Sequence, residues 1–99
     1  MDRVVVALTM VAAYDVREDD RRSRLAALLQ VHGDRVQKSV FLLSIDEPDF
    51  SELQARALAL IDADTDSLWF ARQCADCWGV VVRLGQTDLA PRSLHWAVL

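Results

Sequence analysis

From Val4 to Val16 the chain is almost continuously apolar and rich in valine. A run with no alternation of polar residues predicts a central β-strand covered on both faces, not a strand with one wet side. It ends on Tyr14-Asp15-Val16, which places one carboxylate, Asp15, at the carboxyl end of that strand. Two other readings of the run fail. It is far shorter than the ~20 apolar residues of a membrane span. Arg3 before it and small residues at its end imitate a secretory signal, but cleavage there would separate or destroy Tyr14-Asp15. The expectation is a cytoplasmic chain with no membrane segment and with its cysteines reduced.

Ninety-nine residues allow a single domain, 1–99, around one core, so a deep cleft calls for a second subunit. Residues are 53% apolar and 26% charged, which excludes a disordered chain. Fifteen acids against eleven bases give a net charge of −4, which argues against indiscriminate nucleic-acid binding. The bases are unevenly placed, however. Arg17, Arg21, Arg22 and Arg24 fall close together and Arg35 follows, so a local basic site survives the negative total.

After the first strand, Asp19 or Asp20 can cap a helix that runs to about His32, with Leu25, Leu28, Leu29 and His32 at helical spacing and Gly33 as its stop. Residues 35–45 read as a strand in which Arg35, Gln37 and Ser39 share a face and Phe41, Leu43 and Ile45 continue it inward. That length exceeds the usual strand, so a break is expected within it. Ser51 and Gln54 form a capping box for a second helix that carries Leu53, Ala57, Leu60 and Ile61 on one face and ends near Ile61. Strands over 67–74 and 78–84, a stop at Gly85 and an edge strand over 94–99 complete the pattern. Two helices among short strands fit an α+β, ferredoxin-like sandwich: an antiparallel sheet with both helices on one face. The open face needs a cover, and a second copy packing sheet against sheet would make a homodimer. Trp69, Trp78 and Trp96 are candidates for that interface, and ordinary core packing explains them equally well.

A carboxylate ending an apolar strand loses water and must gain a cation, a donor or a proton. For Asp15, a hydrogen bond to a loop satisfies this, and so does a metal. One carboxylate alone is a poor Mg²⁺ site, because the ion takes one or two carboxylates plus waters and phosphates. Asp15 from two subunits facing each other across a twofold axis would supply the pair, and the ion would then activate water and neutralise phosphate. Arg21, Arg22 and Arg24 stand in the first helical turns, where positive charge opposes the macrodipole and Glu18, Asp19 and Asp20 offset it. By themselves they read as a solvated face, or as arginine forks at a helix start that bind phosphate. Arg35, Gln37 and Ser39 are equally able to contact phosphate oxygens in a row or to satisfy neighbouring loops. No histidine or other base near Ser39 could make it a nucleophile. Cys74-Ala-Asp-Cys77 supplies half a zinc site at most and closes a strand instead of opening a helix, so packing explains it better. Asp62, Asp64 and Asp66 alternate like a calcium loop, but Ser67 holds the glycine position and Gln73 the closing glutamate, which leaves a solvated turn.

Taken together, several strings resemble the small CRISPR-associated adaptation protein family, the second of the two core Cas proteins. They are Tyr14-Asp15-Val16, Arg21-Arg22 leading Leu25 to Leu29, Gly33-x-Arg35-Val36-Gln37-x-Ser39-Val40-Phe41, Asp66-Ser67-Leu68 and the cysteine pair before the segment 80–85. They occur in the family's order and cover about residues 4–85. The resemblance implies a ferredoxin-fold homodimer whose paired aspartates, here Asp15, are catalytic and hold Mg²⁺, or Mn²⁺ in its place, at the interface. It implies an endonuclease on RNA or DNA, and a spacer-acquisition role beside a CRISPR integrase subunit. It turns the reading of Arg21, Arg22, Arg24, Arg35, Gln37 and Ser39 toward nucleic-acid contact. It also implies that the tail, 86–99, adds an edge strand to the partner subunit. Two alternatives remain: a non-catalytic scaffold bridging integrase dimers on DNA, and a toxin-type ribonuclease on the same fold. A ferredoxin-like small-molecule regulatory domain is disfavoured by the arginine segments.

Overall fold

The computed structural model describes residues 7–74 together with Val80, Val82 and Leu84. Strand β1 (Leu8–Asp15) is followed by helix α1 (Asp19–Gln30), strands β2 (Gly33–Gln37) and β3 (Val40–Ile45), helix α2 (Glu47–Leu60) and strand β4 (Ser67–Gln73). The four strands form one antiparallel sheet in the order β2-β3-β1-β4. This is the expected ferredoxin-like α+β sandwich. The expected strand over 78–84, the edge strand over 94–99, the stop at Gly85, Trp78, Trp96 and the tail 86–99 lie outside the described residues, as does the start of the first apolar run.

One face of the sheet carries the core. Leu8, Met10, Ala12 and Tyr14 of β1 and Phe41, Leu43 and Ile45 of β3 pack in a single cluster with Leu25, Ala26 and Leu29 of α1 and Leu53 and Ala57 of α2. Both helices therefore lie on that face. Ala12 sits directly between Phe41 and Phe70 in the strand register, so a small side chain on the central strand makes room for two large neighbours. Phe50 of α2 meets Phe70 of β4 edge to face at 5.1 Å, which ties the second helix to the sheet edge. The other face is mixed: Thr9 and Leu42 are buried, Val11 and Ala13 are half-buried, and Trp69 is 54% exposed.

Four boundaries differ from the sequence expectation, each for a local reason. Residues 35–45 are a hairpin, not one strand: Lys38 and Ser39 form the turn between Gln37 and Val40, and a bulge separates Arg35 from Gln37. Arg35 consequently lies opposite Phe41 and Gln37 opposite Val40, which are adjacent on β3 and so face opposite sides. Arg35, Gln37 and Ser39 do not share a face. Helix α1 is capped by Glu18, whose side chain accepts from the Arg21 N–H at 3.2 Å, not by Asp19 or Asp20, which lie inside its first turn. Helix α2 starts before the expected capping box, because Asp46 accepts from the Asp49 N–H at 2.8 Å and Pro48 is tolerated in the first turn.

Gly33 does not stop α1, which ends at Gln30, but opens β2. A Cβ there would sit 1.9 Å from the Leu42 carbonyl oxygen and 2.7 Å from the Leu43 Cα, so glycine is required by the close approach of β3. Gly33→Ala is expected to destabilise the fold by about 3 kcal/mol through displacement of β2. Urea denaturation measures this, and an unchanged midpoint would show that the hairpin adjusts without loss.

Candidate functional site

Strand β1 delivers Asp15 to the rim of the sheet, where its side chain is exposed. The expected desolvation does not occur, because pairing with β3 stops at Ala13 and only β4, through Ser67, accompanies β1 to Asp15. Among the described residues no hydrogen bond or ion pair engages the Asp15 carboxylate. Beside it opens a cleft of about 410 Å³ lined by Asp15, Arg22, Ser23, Arg35, Lys38 and Ser39, with Tyr14, Val16 and Ala26 as its apolar floor. One carboxylate thus faces three cations around a shared opening.

The floor is built by packing that the sequence dictates. The Tyr14 N–H donates to the Ser39 carbonyl at 3.1 Å, and the Tyr14 ring lies 6.3 Å from that of Phe41. The Arg35 guanidinium stands 5.2 Å from the centre of the same Phe41 ring, a cation–π contact that aims the arginine across the cleft mouth. Lys38 in the hairpin turn is exposed and faces the same opening. Arg22 enters from α1: one guanidinium nitrogen donates to the Val16 carbonyl at 2.9 Å and the other pairs with Asp19.

Arg21 and Arg24 do not line the cleft. Arg24 is exposed further along α1 and pairs with Asp20 at 3.1 Å. Arg21 turns to Asp66, whose side chain is fully buried, donating from Nε at 2.9 Å and from a terminal nitrogen at 3.2 Å. Gln37 is exposed on the far side of the bulge. Arg22, Arg35 and Ser39 are therefore the sequence-selected residues that gather around Asp15, and Lys38 joins them. A lysine inside a string chosen for its flanking residues carries no spacing signal, which is why sequence reasoning passed over it.

The alternating aspartates predict a solvated turn, and Asp66 departs from that expectation because its side chain is buried. Besides Arg21 it accepts from the backbone N–H of Arg17 at 3.1 Å and of Asp62 at 2.9 Å. It therefore ties the β1–α1 loop, the first turn of α1 and the α2–β4 turn together. Asp62 and Asp64 are exposed as expected. Cys74 is exposed, and Cys77 lies outside the described residues. Among the described residues no group of three or more His, Cys, Asp or Glu side chains converges, so the alternating aspartates and the first cysteine form no metal cluster there. No helix of the described residues is long and apolar enough to cross a membrane.

The hydrogen bond from Arg21, opposed by burial and reinforced by the two backbone donors, holds the Asp66 carboxyl far below the usual carboxylate range. The same bond raises the Arg21 guanidinium. Because the folded value of Asp66 is depressed, its contribution to stability is complete above about pH 4 and is lost as pH falls below that. The denaturation midpoint is thus expected to drop between about pH 4 and about pH 2. Asp66→Asn should start lower at neutral pH and show a shallower acid dependence. Equal slopes for the two proteins would place the acid-sensitive group elsewhere.

Known proteins give the site a context. The sequence profile of the family described as CRISPR associated protein Cas2 matches residues 8–81. A CRISPR-associated endoribonuclease Cas2 of Rhodospirillum rubrum is 35% identical over 89 residues, covering 90% of this chain and 72% of that protein. The crystal structure of Streptococcus pyogenes Cas2 superposes with a TM-score of 0.72 at 30% identity, covering 78% of this chain and 99% of the other. A chain of a partial Cas6-RT-Cas1–Cas2 complex superposes with a TM-score of 0.68 at 26% identity, covering 84% of this chain and 91% of that one.

Proposed function

The chain belongs to the CRISPR associated protein Cas2 family, and from that premise we propose that it acts in CRISPR adaptation as a nucleic-acid-binding homodimer with a Mg²⁺-dependent phosphodiesterase site at Asp15. The observation that carries the reading is the exposed Asp15 carboxylate at a cleft edged by Arg22, Arg35 and Lys38. A phosphodiester brings negative charge to such a place, and three cations around one carboxylate suit it. Support for nuclease activity comes from the name of the Rhodospirillum relative, and support for an integrase partner from the likeness to a chain of the partial Cas1–Cas2 complex.

The donor set is compatible with Mg²⁺. Asp15 offers a hard oxygen ligand with no competing partner among the described residues, and a second copy of Asp15 across a twofold axis would complete a two-carboxylate site. The same oxygens accept Mn²⁺. Held there, such an ion would activate a water and neutralise charge at phosphate. Everything else falls to the chain. Arg35, fixed over Phe41, and Lys38 at the turn hold non-bridging phosphate oxygens, Ser39 offers its hydroxyl to a phosphate oxygen or a water, and Arg22 closes the α1 side. Arg24 extends the basic surface along the helix. Trp69, exposed beside the half-buried Val11 and Ala13 on the open sheet face, supports sheet-on-sheet pairing of two copies.

The decisive comparison is wild type against Asp15→Ala on labelled RNA and duplex DNA with Mg²⁺, Mn²⁺ or chelator, with binding recorded in the same samples. Metal-dependent cleavage lost by at least ~100-fold in the variant, with binding retained, is the expected result. Binding without cleavage by either protein would assign the chain the scaffold role.

Charge reversal at Arg35 and Lys38 tests the phosphate contacts separately. Arg35→Glu and Lys38→Glu are each expected to weaken binding across all sequences and to lower the salt dependence by about one unit per contact removed. Titrations at several salt concentrations read this out, and an unchanged slope would remove these residues from the interface.

A further inference from the structure

Five donor groups converge on Asp66, a residue that lines no part of the cleft. Its Oδ1 accepts from the Arg17 N–H at 3.1 Å, from an Arg21 terminal nitrogen at 3.2 Å and from the Thr65 hydroxyl at 3.3 Å. Its Oδ2 accepts from Arg21 Nε at 2.9 Å and from the Asp62 N–H at 2.9 Å. The side chain is fully buried, so each oxygen is committed to these partners.

The position of Asp66 relative to Asp15 gives these bonds a further consequence. Ser67, the next residue, is the register partner of Asp15 on β4. Arg17, two residues beyond Asp15, hangs its N–H on Asp66, and Val16 between them receives Arg22 on its carbonyl. Past Ala13, where the β3 register ends, the backbone that carries Asp15 is held by β4, by the Tyr14 N–H bond to the Ser39 carbonyl and, just beyond Asp15, by the Asp66 and Arg22 contacts. We propose that Asp66, clasped by Arg21, is a positioning residue for Asp15: it fixes where the exposed carboxylate stands relative to the Arg22 side of the cleft. This inference rests on the reading of Asp15 as the working carboxylate, and it assigns Arg21 to the scaffold of the site. Asparagine cannot replace Asp66, since its single oxygen leaves the second donor set facing an amide N–H₂ that also donates.

The test uses the full chain and compares wild type, Asp66→Asn, Arg21→Lys, Asp15→Ala and the double variant Asp15→Ala/Asp66→Asn, at a temperature where melting curves show each folded. Amide hydrogen exchange at Val16 and Arg17 is expected to rise at least ten-fold in Asp66→Asn while exchange at Met10 and Ala12 stays at the wild-type rate. Cleavage in Asp66→Asn should lose at least ten-fold in kcat with KM unchanged. Arg21→Lys should fall between, because it keeps the charge and loses the fork. In the Asp15→Ala background the Asp66 substitution should have no further effect on cleavage. Wild-type exchange at Val16 and Arg17 in Asp66→Asn, exchange that rises equally throughout β1, or an undiminished kcat would each overturn the proposal. If the wild-type protein cleaves nothing with any metal, the phosphodiesterase reading fails by itself. The exchange pattern together with Mn²⁺ binding followed by electron paramagnetic resonance then decides the positioning role, with a ten-fold weaker Mn²⁺ affinity in Asp66→Asn expected and an unchanged one overturning it.

Discussion

A buried carboxylate that accepts from two backbone N–H groups and an arginine fork organises one end of this small sheet. Asp66 follows a loop that connects α2 to β4, and its partners come from the β1–α1 loop, from α1 and from its own turn. Burying a charge without partners would be prohibitive, so the three segments must arrive together or the carboxylate must stay in water. The bond set thus acts as a condition on the fold: the strand that ends on Asp15, the helix that brings Arg22 and the strand that begins at Ser67 share one point of reference. The hydrophobic cluster fixes the layers, and Asp66 fixes where they end.

The opposite wall of the cleft depends on an aromatic contact. Phe41 is completely buried, and it meets Tyr14 on one side and the Arg35 guanidinium on another. Arg35 faces that ring because it is the register partner of Phe41, and the bulge that follows it shifts Gln37 to Val40 instead. The Lys38–Ser39 turn is drawn to the end of β1 by the Tyr14 N–H. Three cations consequently surround one carboxylate in a chain whose total charge is −4. Acids such as Asp20, Asp62 and Asp64 are exposed away from the cleft, Asp19 stands beside it only as the partner of Arg22, and net charge says little about the field inside a single cleft.

Much of this was legible in the sequence where burial follows periodicity. The valine-rich run, the leucines of α1 and the Leu53–Ala57 stripe of α2 announced a central strand and two helices, and their order pointed to the ferredoxin-like sandwich. The hairpin was not legible, because Lys38 and Ser39 are not the glycine or asparagine that two-residue turns prefer, and a bulge leaves no mark in an alternation pattern. Gly33 after a helical stripe signals a helix stop, whereas its reason is the approach of β3 at Leu42 and Leu43, which local sequence does not announce. Asp66 lay in an alternating acidic stretch that looks solvated, and only the arrival of Arg21 from 45 residues away makes burial affordable.

The contrast between like residues shows how environment divides the labour. Asp15 and Asp66 flank the same end of the sheet, and Arg21 and Arg22 are neighbours on one helix. A helix rotates successive side chains by about 100°, so Arg21 points to the α2–β4 turn while Arg22 points to the cleft. Asp66 and Arg21 pair with each other inside the fold, whereas Asp15 and Arg22, the latter bonded to the Val16 carbonyl and Asp19, line the cleft. Asp15 is the carboxylate that lines this cleft, and one carboxylate by itself supplies few of the six oxygens a hydrated Mg²⁺ takes. The contacts that hold this end of the fold, at Asp66, are therefore distinct from the residues that line the cleft, so each set can be altered without removing a member of the other.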